Sequence, residues 1–154
     1  MLRLSKLTDY AVVVLARLAR DGGVGTSVQT ALSLAADTGI AEPTVAKVLK
    51  MLAQAGLVEG VRGPRGGYRL MRPMAAVPLS EIIAAIDGPI ALTACVDGGS
   101  GNCEAECVCP VRGRWDPVND AIRRALSGIT LADLAPPERR PAAAVAAAIH
   151  VSAE

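Results

Sequence analysis

The chain contains no Phe, and its only aromatic residues are Tyr10, Tyr68 and Trp115. A core built without large rings must be assembled from Leu, Val, Ile and Ala, which favours helices. Histidine is confined to His150 in the C-terminal tail. The commonest general base and metal ligand is therefore missing from the rest of the chain. No nucleophile–base pair and no phosphate-cradling glycine loop is present, so no enzyme is indicated. Apolar runs are short. The best, AVVVLA at 11–16, falls well below the roughly 20 residues of a membrane span. Arg3, Lys6 and Asp9 interrupt the N-terminus, against a secretory leader, and place the protein in the cytoplasm. Cysteine is absent before position 95 and after position 109.

What the rest of the chain lacks in thiols is concentrated in one stretch. Residues 94–110, ACVDGGSGNCEAECVCP, hold Cys95, Cys103, Cys107 and Cys109. In a reducing compartment such a cluster points to metal or redox chemistry before structural disulfides. Charge is also uneven. Residues 1–72 carry ten Lys/Arg against five Asp/Glu, and residues 73–154 carry six against ten. A basic N-terminal part with an acidic remainder suits a nucleic-acid-binding module joined to a second function.

Helical spacing of Leu4, Leu7, Ala11, Val14, Leu15 and Leu18 predicts a first helix over about 5–20. A second is expected through VQTALSLAADT, capped by Thr26 or Ser27 and ended by Gly39, and a third from Pro43 with Val45, Val48, Leu49 and Leu52 inward. The period then changes: LVEGV at 57–61 and YRLM from 68 are strand-like around the turn RGPRGG. Three short helices and a basic hairpin form the pattern of a winged helix-turn-helix over 1–73. Beyond it, 79–88 predicts a short helix capped by Ser80. Val111, Trp115, Val118, Ile122 and Leu126 mark one face of a long helix, which Asp116-Pro117 kinks or restarts. That face suits either a second copy of the chain or the chain's own domain; a dimerisation helix within 74–135 is expected. ITLADLA adds a short turn, and 136–154 forms an Ala/Pro-rich tail expected to be flexible. The expected fold is mainly α with a small β-hairpin.

In a helix-turn-helix the second helix of the pair enters the major groove. On 43–54 the outward face carries Thr44 and Lys47, with Lys50 beside them, able to meet base edges or phosphates. Arg62 and Arg65 flank Gly63-Pro64 at the hairpin tip, where an Arg can enter a narrow minor groove. Taken singly, each of these cations is also an ordinary solvating charge; the combination points to double-stranded DNA.

LSKLTDYAVVVLARLA at the start, VRGPRGGYRL in the hairpin and the later cysteines together resemble the Rrf-two family of bacterial transcription regulators. PIALTAC, CPVRGRW and NDAIRRALSGITLADL are most similar to its branch of regulators of the SUF iron–sulfur assembly system. The resemblance covers about residues 1–135. It implies a homodimer with one winged helix per subunit, a long helix crossing between subunits, and an iron–sulfur cluster (2Fe-2S or 4Fe-4S) held by three loop cysteines. It implies a repressor of iron–sulfur assembly genes that responds to oxygen, nitric oxide, redox or cluster status. Carried over, Cys95 and Cys109 match the outer ligands and Cys103 the middle one. The seven residues between Cys95 and Cys103 exceed the usual spacing, and the additional Cys107 is an alternative middle ligand. Some members carry an acidic residue in a K-x-T-D motif that reaches the other subunit's cluster; K-L-T-D here places Asp9 at that position, where a salt bridge or cap with Lys6 is the other reading.

Thiolates are the natural ligands of iron–sulfur clusters, and Gly98, Gly99 and Gly101 let the loop fold back so that distant cysteines converge. Glu104 and Glu106 are expected to point away from an anionic site. A carboxylate as fourth ligand leaves one iron with a harder, more easily displaced donor. Zinc and a thiol–disulfide switch at Cys107-Val108-Cys109 are the rival readings. No C-x-x-C pair supports the first, and a bridge between cysteines one residue apart is strained.

Overall fold

The computed structural model describes residues 3–20, 28–101, 103 and 108–135. Helix α1 spans Lys6–Arg20, and the Ser5 hydroxyl caps it by accepting the Thr8 N–H at 3.1 Å. Ala11, Val14, Leu15 and Leu18 are buried along one side, as the spacing predicted, whereas Leu7 is half-buried and Leu4, ahead of the helix, is exposed. Helices α2 (Ala31–Thr38) and α3 (Glu42–Gln54) follow, with Gly39 ending α2 and Pro43 in the first turn of α3. Leu34, Val45, Val48, Leu49 and Leu52 are fully buried against α1. Each such side chain contributes roughly 1.5–3 kcal/mol, and together they fix the angle at which α3 is presented.

The start of α2 differs from the expected one. Thr30 caps it, its Oγ1 accepting the Ser33 N–H at 3.1 Å; Thr26 and Ser27 lie outside the described residues. The cause is Gln29. Its N–H donates to Tyr68 O at 3.0 Å and its carbonyl accepts the Tyr68 N–H at 2.8 Å, which holds this backbone extended beside the hairpin. Helical periodicity through VQTALSL gave no sign of that pairing.

The hairpin itself is as expected: β1 (Val58–Val61) pairs antiparallel with β2 (Gly67–Leu70), Val58 opposite Leu70 and Val61 opposite Gly67. Its second strand is pinned on the far side by Gln29. At Gly67 the two backbones approach so closely that a Cβ would lie 2.5 Å from Gln29 O. Gly67→Ala is expected to push the hairpin off its seat and cost about 1–3 kcal/mol, as overpacking does, read as a lowered denaturation midpoint by circular dichroism.

A 3-10 turn (Met74–Ala76) leads to helix α4 (Leu79–Asp87), which buries Ile82 and Ile86 in the core shared by α1 and α3. Pro78, not Ser80, occupies the cap position of α4. The chain is still extended there because the Leu79 N–H donates to Ile129 O and the Leu131 N–H to Val77 O, each at 2.8 Å. Ser80 Oγ instead accepts from Ser127 Oγ at 2.9 Å. Helix α5 is Asp116–Ser127, so Pro117 restarts the chain rather than kinking a longer helix, and Val111 and Trp115 precede it. Helix α6 (Leu131–Leu134) returns Leu131 to the core. Among the described residues no helix is long and apolar enough to cross a membrane.

Candidate nucleic-acid interface and cysteine loop

Burial of the Val/Leu stripe turns the opposite side of α3 to solvent, where Lys47 and Lys50 are exposed and Thr44 is half-buried. Arg62 and Arg65 are exposed at the hairpin tip, whose turn is closed by the Gly66 N–H donating to Gly63 O at 2.9 Å. A groove between α3 and the hairpin is lined by Lys50, Gln54, Arg62 and Tyr68, so the structure brings Lys50 and Arg62 to one surface. Thr44 and Lys47 lie outside that groove, toward the other end of α3. Arg69, also on the hairpin, is committed differently: its Nε and Nη2 donate to Glu59 Oε2 at 3.0 and 2.8 Å, bracing one strand against the other. Lys47, Lys50, Arg62 and Arg65 have no carboxylate partner among the described residues. Uncompensated cations on adjoining elements are the electrostatic footprint of a phosphate-backbone ligand.

The cysteine loop is built on α4 and α5. Gly88 and Pro89 leave α4, and the next residues are held by Asn119, which is 1% exposed. Its Oδ1 accepts the Leu92 N–H at 3.0 Å and its Nδ2 donates to Ile90 O at 3.2 Å. Sequence reasoning missed Asn119; a polar residue on the inward side of an amphipathic helix beside a glycine-rich loop was the available signal. Asn119→Ala leaves both loop groups without their partner and is expected to cost about 1–3 kcal/mol, with faster amide exchange at Leu92 as the local readout.

Beyond Leu92 the chain doubles back. The Gly99 N–H donates to Val96 O at 2.8 Å and the Gly101 N–H to Ala94 O at 2.9 Å. A Cβ on Gly99 would stand 2.6 Å from Ala94 O, so only glycine allows this turn. Val96 anchors the turn by burial, and Arg123 reaches Asp97 at 3.3 Å. Cys95, Cys103 and Cys109 are unbridged and half-buried, and Thr93 Oγ1 lies 3.3 Å from Cys95 Sγ. Cys107 lies outside the described residues. Among the described residues no three Cys, His, Asp or Glu stand together as a metal-holding group. The donor chemistry nevertheless fits a thiophilic cofactor: three free thiols, partly shielded from water, on a loop that turns on glycine.

Asp9 is exposed on the first turn of α1, away from the core. It forms no ion pair with Lys6, whose ammonium sits 5.7 Å from the centroid of the Tyr10 ring. The neighbouring Thr8 is fully buried, and its hydroxyl donates to Asp87 Oδ2 at 2.7 Å. Partial burial pushes the Asp87 carboxyl up, but hydrogen bonds from Ser5 and Thr8 outweigh it and hold the group below its ordinary value.

On α5, Val118 remains exposed, as do Trp115 just before it and Leu4 near the chain start, while Ile122 and Leu126 are half-buried. Ile122 and Leu126 line an apolar groove with Leu4, Ile83, Ile90 and Leu92.

Residues 4–137 match the Rrf2 family profile, described as an iron-dependent transcriptional regulator. The chain is 30% identical to the HTH-type transcriptional regulator IscR of Cereibacter sphaeroides, over 97% of each chain. Among solved structures it resembles CymR, the global cysteine regulator of B. subtilis, at 28% identity and a TM-score of 0.65, covering 88% of this chain and 97% of that one. It also resembles IscR of T. potens at 28% identity and a TM-score of 0.60, covering 86% and 85%.

Proposed function

The chain belongs to the Rrf2 family of transcriptional regulators, and from that premise we propose that it is a homodimeric, DNA-binding repressor of iron–sulfur assembly genes, cytoplasmic, whose operator affinity answers to an iron–sulfur cluster in the cysteine loop. The observation that carries the reading is the pairing of two features in one chain: Lys47, Lys50, Arg62 and Arg65, without a carboxylate partner among the described residues, on α3 and the hairpin tip, and three free, half-buried thiols on a loop fixed to α4 and α5.

Residues 1–73 supply the DNA-binding part. Thr44, Lys47 and Lys50 meet the major groove, and Arg62 and Arg65 at the wing tip meet the adjoining minor groove or its phosphates. Residues 74–135 supply the loop and the dimer contact. The exposed side chains of Trp115 and Val118 continue the half-buried Ile122 and Leu126, and a second copy of α5 covers them. Cys95, Cys103 and Cys109 hold the cluster, with Cys107 as the other middle ligand and Asp9 of the opposite subunit as fourth donor. When bound, the cluster supplies redox chemistry and an iron open to displacement. The chain's own part is positional. Asn119 holds the entry of the loop, α4 connects that entry to the core beneath α3, and α1 carries Asp9 on a helix packed against α3. A change in how the loop is held is thereby passed to elements that set the angle of α3, which is what coupling between two sites requires.

The test is anaerobic purification followed by absorbance, iron and acid-labile sulfide analysis. Visible absorption with iron and sulfide in equal amounts is expected, and a colourless protein whose thiols take up only zinc removes the cluster. In a second reading the cysteines bind zinc or act as a thiol switch in an otherwise similar regulator; the same metal analysis separates the two.

A further inference from the structure

Thr8 and Asp87 have no part in DNA contact or in the ligand set, yet they form a connection of unusual placement. Thr8 is fully buried in the first turn of α1. Its hydroxyl donates to Asp87 Oδ2 at 2.7 Å, its N–H donates to Ser5 Oγ at 3.1 Å, and the Ser5 N–H donates to the same Asp87 oxygen at 3.3 Å. Asp87 is the last residue of α4, where a carboxylate meets the negative end of its own helix. Local electrostatics oppose it there; the N-terminus of α1 and the two donors compensate. Gly88 and Pro89 then lead from Asp87 into the segment that Asn119 fixes, on the way to Cys95. On the other side of the contact, Asp9 follows Thr8 directly and is exposed without a partner among the described residues. Fixing the Thr8 side chain fixes the rotation of this turn about the axis of α1, and with it the direction in which the next Cα–Cβ bond points.

We infer that Thr8 and Asp87 are positioning residues for the Asp9 carboxylate, holding the first turn of α1 in the orientation that presents Asp9 as a ligand. The inference rests on the ligand set proposed above. A purely structural role would require only that α1 and α4 stay joined.

The experiment compares wild-type, Thr8→Val, Thr8→Ser, Asp9→Ala and the Thr8→Val/Asp9→Ala double variant, each purified anaerobically as the full chain. The first readout is the rate of iron release to a ferrous chelator, with starting iron, starting sulfide and melting temperature measured alongside. Thr8→Val is expected to release iron roughly tenfold faster, the scale of one lost hydrogen bond to a charged group, while Thr8→Ser keeps the wild-type rate. The double variant is expected to release iron no faster than Asp9→Ala alone, because two residues acting through one ligand are not additive. In the iron-free protein, the Asp9 amide, which donates to Ser5 O at 3.3 Å, is expected to exchange faster in Thr8→Val. If Asp9→Ala accelerates release and Thr8→Val does not, or if the double variant multiplies the two single effects, the positioning role is overturned and the ligand set stands. An iron-free wild-type protein, or an Asp9→Ala variant with unchanged release, overturns the ligand assignment and this inference with it.

Discussion

Replacing Cys95, Cys103 or Cys109 singly by Ala is expected to yield a folded but colourless protein with at least about tenfold less bound iron, while Cys107→Ala retains its colour and iron. The size follows from comparison with weaker perturbations. Removing a group that merely orients a metal ligand costs roughly 10–100-fold in affinity, so removing the ligand itself costs no less. Folding is expected to survive because Val96 is the one buried residue among the described residues of the loop, whereas the main core is drawn from α1, α2, α3, α4, α6 and the hairpin. The position of each thiol makes the test selective. Cys95 sits two residues beyond Thr93, whose hydroxyl lies 3.3 Å from its sulfur, and it is three residues past Leu92, which Asn119 fixes. Cys109 lies at the other end of the loop, six residues ahead of Trp115 at the start of α5. In the proposed ligand set these two thiols, each close to an element fixed in the fold, are the outer donors. Cys103 lies between them, and Cys107 competes for its role. Loss of colour in Cys107→Ala together with its retention in Cys103→Ala would exchange the middle ligand without disturbing the outer two. Retention of iron in all four variants would remove the loop as the cofactor site.

Much of the fold was legible because the chain writes it in two clear periods. The apolar stripes of α1 and α3 recur at helical spacing, and the hairpin strands are bounded by a glycine- and proline-rich turn. What escaped notice was non-local. Gln29 pairs with Tyr68 across 39 residues of chain, and Pro78 pairs with Thr130 across 52; in both places the extended backbone moved a cap from the residue that local preference selected. Thr30 replaces Thr26 or Ser27, and Ser80 gives way to Pro78. Local preference is worth about 1 kcal/mol at a cap, and a pair of ladder hydrogen bonds within a packed core outweighs it. For the same reason Asn119 and Asp87 were hard to recognise as anchors. Each is a polar residue whose partners lie 27 or more residues away; its place on the inward side of an amphipathic helix was the one cue to Asn119, and nothing in the neighbours of Asp87 announces its partners. The residue types that carry chemistry, by contrast, were plain: four cysteines in one stretch and arginines on a glycine-rich turn need no partner to be noticed.

On the DNA side, the Arg62→Ala/Arg65→Ala double variant is expected to lose about 10–100-fold in operator affinity near physiological salt, and its dependence of log affinity on log salt should become shallower by about two units per subunit. The two arginines have no carboxylate to neutralise them among the described residues, so their full charge is available to phosphates or to the narrow negative potential of a minor groove. Arg69 supplies the internal contrast. It bonds Glu59 through two nitrogens, so Arg69→Ala is expected to act on the hairpin's rigidity and leave the salt slope nearly unchanged. Lys47→Ala, on the helix rather than the wing, is expected to weaken binding about tenfold and to do so unequally across operator sequences, since a base-edge contact carries roughly 1–3 kcal/mol of discrimination. Fluorescence anisotropy on operator and scrambled duplexes over a salt series separates these effects. Should the Arg62/Arg65 double variant bind with unaltered affinity and slope while Lys47→Ala is impaired, the helix would read DNA without the wing. The groove that Lys50 and Arg62 share would then lie off the duplex, and α3 would have to approach the DNA at a tilt that lifts the hairpin tip away from the phosphates.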